Sequence, residues 1–408
     1  MKLPTFVSKL VLCIVLFLLA PGLMFANSVT VDCTGVAPGT FVTITAALAS
    51  LTPAGPNDIN VTCNSSDNAL IVGFSNLTIF SALPPGPFTV TAANPARRSL
   101  NITDSKGIFI DGIIFSGGTG VVIADSTNVQ LGDGGITNSS QLGLLTRNSV
   151  VDIFGSSLTS LFTIQNSTRS GISAQGGTLS LDGGVTITNN ARFGVAMTTG
   201  HLFLNGGDGV SVADNVISNN GFSGVLVQNT AQCDAGGGND ILNNSQTGLQ
   251  VLSHSAANWF GGSIIGNQGV GVHIGQTSHG EFSTVNITGN GAAVAANGGV
   301  TSQFGGAGGM EVVAHSDMFI DGGVNVSNNL NTGVFVNESS VLSSLGGNTI
   351  NGNFGNGFLM TTLAVSHFYG NDSATGNTLE PFECDDSSVL IDNPDAFAKA
   401  RCAAVKIK

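Results

Sequence analysis

The chain has 408 residues, with 57 Gly, 25 acidic against 12 basic residues and a net charge of −13. Its glycines follow no G-X-Y period, which excludes collagen, and 42% hydrophobic residues is too many for a disordered chain. With only 9% charged residues and this negative balance, it is neither a charged helical bundle nor a nucleic-acid binder.

Residues 1–26 have the layout of a secretory signal peptide. Lys2 and Lys9 precede an apolar run at 10–20, followed by Pro21-Gly22 and the small stretch Ala26-Asn27-Ser28. The run is short of the roughly 20 residues a bilayer span needs. The expectation is an exported protein with no transmembrane segment in the mature chain. Five cysteines then remain. Their clustering at the two ends suggests Cys33–Cys63 and Cys384–Cys402 as terminal staples, leaving Cys233 in the middle.

A repeat governs the centre of the chain. A Gly opens a short apolar strand at Gly120, Gly143, Gly171, Gly194, Gly224, Gly248, Gly271, Gly309, Gly333 and Gly357, with successive spacings of 23, 28, 23, 30, 24, 23, 38, 24 and 24. An Asn stands four residues before the Gly at Asn190, Asn220, Asn244, Asn267, Asn329 and Asn353, and a Gly-Gly pair recurs mid-repeat. Each repeat divides into three short apolar stretches separated by turn residues. That is one coil of a parallel β-solenoid, whose strands pair with the coils above and below. The Asn column predicts an internal amide ladder, and the Gly columns mark turns with positive φ or close backbone approach. At roughly 4.8 Å per coil, about a dozen coils make a rod on the order of 55 Å long.

The Asn ladder and three strands per coil resemble the right-handed parallel β-helix of the pectate-lyase-like superfamily. The amphipathic run at 41–51, leading through Pro/Gly turns to a first strand at 59–63, is similar to the helix that caps such rods. The resemblance implies an all-β fold of about 11–13 coils. The expected divisions are a signal peptide at 1–26, cap and first coils at 27–100, a β-helix core at 101–378, and a C-terminal cap and tail at 379–408. It says little about function, because this scaffold carries lyases, hydrolases, epimerases and adhesins.

Residues one and three after the anchor Gly are apolar and point inward, so the residue two after it faces out. Gln250, His273 and Glu311 therefore stack on three successive coils, about 5 Å apart. A carboxylate beside a His can form an acid/base pair, and Gln250 can grip a sugar. An insertion at 291–306 enters between the coils of His273 and Glu311. A second column, six residues after the Gly, holds His254 and His315, read as solvated turn residues. Cys233 and Trp259 fall on inward positions of the second strand.

The usual chemistry of the resembling enzymes is not visible. Lys106, Arg147, Arg169 and Arg192 are the only bases within 100–380, and none adjoins the 250–311 cluster. The paired-Asp and Gly-His-Gly pattern of polygalacturonases and the Asp-Pro-His-Glu motif of alginate epimerases are missing. No cofactor or metal is expected beyond weak calcium binding by surface Asp. These features favour a secreted, non-catalytic surface or matrix protein that binds polysaccharide or cell-surface glycan, or serves as a rigid adhesive module. The alternative is a polysaccharide lyase, hydrolase or epimerase with an atypical site around His273 and Glu311.

Overall fold

A computed structural model describes residues 27–81, 87–291 and 307–392. The expected signal peptide, the insertion from 292 onward and Cys402 lie outside the described residues. The chain forms a parallel β-solenoid with three strands per coil. We call the three stacks sheets A, B and C.

Sheet A contains the strands that follow the anchor Gly. Thirteen are stacked in parallel among the described residues, from Ala69–Val72 to Phe382–Cys384. Sheet B takes the second strand of each coil and continues to Val389–Asp392. The two sheets join where Leu144–Phe154 and Ile172–Leu181 bend from one into the other without a break. Sheet C, the third face, has 11 strands.

Alternation sends one set of side chains into a single core running the length of the rod. Leu179, Leu202, Cys233, Ala257 and Met318 line up within it and are at most 1% exposed. Burial pushes the Cys233 thiol far above its ordinary value, so it is inert there. Trp259 is fully buried, and its indole N–H donates to the Gly261 carbonyl at 2.9 Å.

The Asn ladder is continuous. Asn220 Nδ2 donates to Asn244 Oδ1 at 3.0 Å, and Asn244 Nδ2 donates to Asn267 Oδ1 at 2.9 Å and to the Ile217 carbonyl at 3.1 Å. The ladder also includes Asn290 and Asn377, so it crosses the insertion without losing step. Each amide satisfies backbone that would otherwise be buried unpaired.

The anchor glycines act mainly through close approach rather than positive φ. A Cβ on Gly224 would lie 2.4 Å from Ile241 Cγ2 and 2.8 Å from Asn244 Nδ2. In the mid-repeat pairs, by contrast, Gly261 and Gly262 have φ of +82° and +72°.

The column six residues after the Gly is not one column. Ser126 and Ser149 are buried rungs, whereas His254 and His315 have φ of 62° and 60° in exposed turns. The later coils carry two left-handed residues in this turn where the earlier coils carry one. Their buried serines, Ser255, Ser278, Ser316 and Ser340, are therefore displaced by one position.

The N-terminal end is closed by a helix, Ile44–Leu48, shorter than the apolar run predicted. Its Thr43 cap accepts from the Ala46 N–H at 3.1 Å, and Ile44, Ala47 and Leu48 are buried. Cys33 and Cys63 are disulfide-bonded, joining the ends of the paired strands Asn27–Val31 and Asn57–Val61. Cys384 is also disulfide-bonded, and its expected partner Cys402 lies outside the described residues.

Candidate functional site: a trough on sheet A

The outward column of sheet A is not the solvated face that alternation alone suggests. Val122, Leu145, Ala196, Leu226, Glu311 and Phe335 point away from the core yet are between 1% and 9% exposed. None belongs to the main core cluster. Their low exposure outside that core marks them as the floor of a shallow trough between the turns that flank the sheet. Near the C-terminal end, Val270 from one rim and Val313 from the other pack with Phe335.

One rim runs through Gln141, Arg169, Arg192, Phe222 and Gln246, linked coil to coil by backbone hydrogen bonds of 2.9–3.3 Å. The Arg192 guanidinium lies 5.9 Å from the Phe222 ring centroid, and the Phe193 and Phe222 rings are 5.6 Å apart. On the other rim Arg147 Nε donates to Gln175 Oε1 at 3.2 Å, and Gln228 Nε2 donates to Thr198 Oγ1 at 3.1 Å. Toward the N-terminal end, a depression is lined by Asn68, Leu70, Arg97, Arg98, Asn101 and Thr119. All five arginines of the described residues thus border this one face of an acidic protein.

Farther along the floor, strand register places Gln250 beside His273 and His273 beside Glu311. The stacking inferred from the anchor Gly is therefore present. His273 Nδ1 donates to Glu311 Oε2 at 2.7 Å. Glu311 is 1% exposed and the His273 side chain 14%. The second carboxylate oxygen, Oε1, is buried without a hydrogen-bond partner among the described residues. Gly275 makes room for the ring, since a Cβ there would come within 2.8 Å of His273 Nε2. One coil earlier, Ser223 Oγ donates to Gln250 Oε1 at 3.3 Å, which leaves the Gln250 amide N–H groups without a partner among the described residues.

The outer face of sheet B holds clusters that the Gly-based columns missed. His201 Nε2 pairs with Asp234 Oδ2 at 2.6 Å, and Asn258 Nδ2 donates to Asp234 Oδ1 at 2.7 Å. His279 pairs with Asp317 through Nδ1 rather than Nε2. Burial pushes the Asp234 carboxyl up, but hydrogen bonds from Gln232, His201 and Asn258 outweigh it and hold the group below its ordinary value. Burial, reinforced by Asp133, raises Asp111; burial, reinforced by Asp182, raises Asp152. The signal for these pairs was present in strand register, one coil apart on the second strand. Reading it required counting from that strand rather than from the anchor Gly.

Among the described residues no group of three or more His, Cys, Asp or Glu is arranged to hold a metal ion, and no helix is long and apolar enough to cross a membrane. Comparison with curated proteins and with solved structures returned no match. Residues 200–373 match the family model described as a right handed beta helix region. Together with the parallel three-strand coils described above, this match shows the fold of a right-handed parallel β-helix, consistent with the pectate-lyase-like type.

Proposed function

We propose that this protein is an exported β-helix that binds a linear glycan along the sheet A trough, with acidic polysaccharide as its ligand class. The observation behind this reading is the placement of Arg97, Arg98, Arg147, Arg169 and Arg192 along one face of a chain whose net charge is −13. Guanidinium groups pair with carboxylate or sulfate in a planar, two-pronged geometry. Phe193 and Phe222 add apolar faces on which a sugar ring can rest. The coil repeat of about 4.8 Å is close to the length of one pyranose unit, so successive sugars meet successive coils.

The test is a glycan panel run with the purified chain, with and without calcium. Binding to acidic polysaccharides that weakens as salt rises supports the reading. Arg169→Glu combined with Arg192→Glu should lower affinity at least ~10-fold, about 1.4 kcal/mol. Asp182→Asn on the outer face of sheet B should leave it unchanged. Equal binding by the double variant and the parent rules the trough out.

A further inference from the structure

We infer that Gln250, His273 and Glu311 form a hydrolytic centre for carboxylic esters, the substrate being an O-acylated sugar held in the trough. The inference rests on the glycan-binding reading for its natural substrate but not for its chemistry. Three observations point to it. His273 has one ring nitrogen fixed by a carboxylate, and its Nε2 has no partner among the described residues. Glu311 is 1% exposed with one oxygen unpartnered, so among the described residues His273 is the only side chain hydrogen-bonded to this buried carboxylate. Gln250 presents unused amide donors on the adjacent coil, with its carbonyl oxygen held by Ser223.

Among the described residues the floor column lacks the parts that competing reaction classes need. Glycoside hydrolysis in its common form needs two carboxyl groups about 5–10 Å apart. The next carboxylate in the floor column is Glu383, three coils beyond Glu311, about 14 Å away along the rod. Elimination from a uronate needs a cation at the sugar carboxylate, and Arg192 lies three coils before His273. Ester hydrolysis needs only an oriented base and a donor for the developing oxyanion, and both are here.

In the reaction, neutral His273 removes a proton from water through Nε2, and the water oxygen attacks the acyl carbon. The carbonyl π electrons move onto oxygen, where the Gln250 amide N–H stabilises the charge. Collapse breaks the bond between the acyl carbon and the sugar oxygen. That oxygen takes the proton back from His273, releasing a free hydroxyl and a carboxylic acid. Glu311 stays ionised throughout, holding the Nδ1–H tautomer and stabilising the imidazolium.

The experiment measures acetate release from acetylated polysaccharide and from p-nitrophenyl acetate, a small ester that does not depend on the glycan site. The parent chain should hydrolyse both. His273→Gln, which can still donate to Glu311, should reduce turnover to background. Glu311→Gln should lower kcat at least ~100-fold, as when the carboxylate of a His–carboxylate pair becomes an amide. Gln250→Leu should lower kcat about 100-fold with little change in KM. Thermal melts establish that each variant folds. His-dependent cleavage of the small ester without glycan binding supports the centre and overturns the glycan reading. Glycan binding with no hydrolysis of either ester, or equal hydrolysis by folded His273→Gln, overturns the centre and leaves the glycan reading standing.

Discussion

Sheets A and B are built from the same coils, stacked at the same spacing, and among the described residues sheet A carries one His–carboxylate pair bridging neighbouring coils and sheet B two. Yet His273 and Glu311 on sheet A are 14% and 1% exposed, whereas His201 and Asp234 on sheet B are each 30% exposed. The difference comes from what flanks each strand. The outward residues of sheet A between its flanking turns are largely buried, while the sheet B pairs remain half open to solvent. One kind of interaction is thus placed in two dielectric environments, and its energetic meaning changes accordingly.

The largest expected effect follows from that contrast. His273→Ala leaves the Glu311 carboxylate buried and unpaired, and should cost about 3–5 kcal/mol in chemical unfolding. His201→Ala breaks a partly exposed pair whose Asp234 keeps Gln232 and Asn258, and should cost less than about 1 kcal/mol. Equal losses at the two sites would show that the trough floor is not desolvated.

Glycine substitutions sharpen the same point on a smaller scale. Gly275→Ala pushes a methyl against the His273 ring, and should cost about 1–3 kcal/mol and disturb the ring's NMR signals. Gly237→Ala, after the Gln232–Ala235 strand of sheet B, meets nothing within 4 Å and should be close to neutral in the same measurement.

The smallest effect concerns pH. Burial and the nearby Asp182 raise the Asp152 carboxyl, so the folded chain holds that proton more tightly than the unfolded chain does. Stability therefore falls as pH rises from the ordinary value of 3.8 through the raised one, and stays lower above it. Asp152→Asn removes that penalty. Its melting temperature should exceed the parent's at neutral pH and match it near pH 3, below the ordinary value of 3.8 for Asp152, where that carboxyl is largely protonated in both folded and unfolded chains. A constant difference at both pH values would assign the effect to packing instead.

Much of this was legible in the chain because a solenoid writes its geometry as a period. The inward stack through Leu202 and Cys233 and the Asn244–Asn267 step follow from counting. So does the adjacency of His273 and Glu311, despite their sequence separation of 38. Counting failed where coils differ in turn length. Ser149 and His254 share an offset from their glycines but not a place in the fold, because the turn before His254 holds one more left-handed residue. It also failed to distinguish the two outer faces. Alternation states which way a side chain points, and Val122 and Leu226 do point outward, but what lies over them depends on the turns.

By itself, the sequence determined the period, the parity of each strand, the Asn ladder and the N-terminal cystine, since each is a matter of spacing along the chain. Only the tertiary structure decided, among the described residues, that the outward side of sheet A is largely buried, that the five arginines border it, and that Glu311 is buried with one oxygen unpaired. Burial and electrostatic environment depend on neighbours one coil away, and those neighbours are chosen by how each turn folds back rather than by the repeat itself.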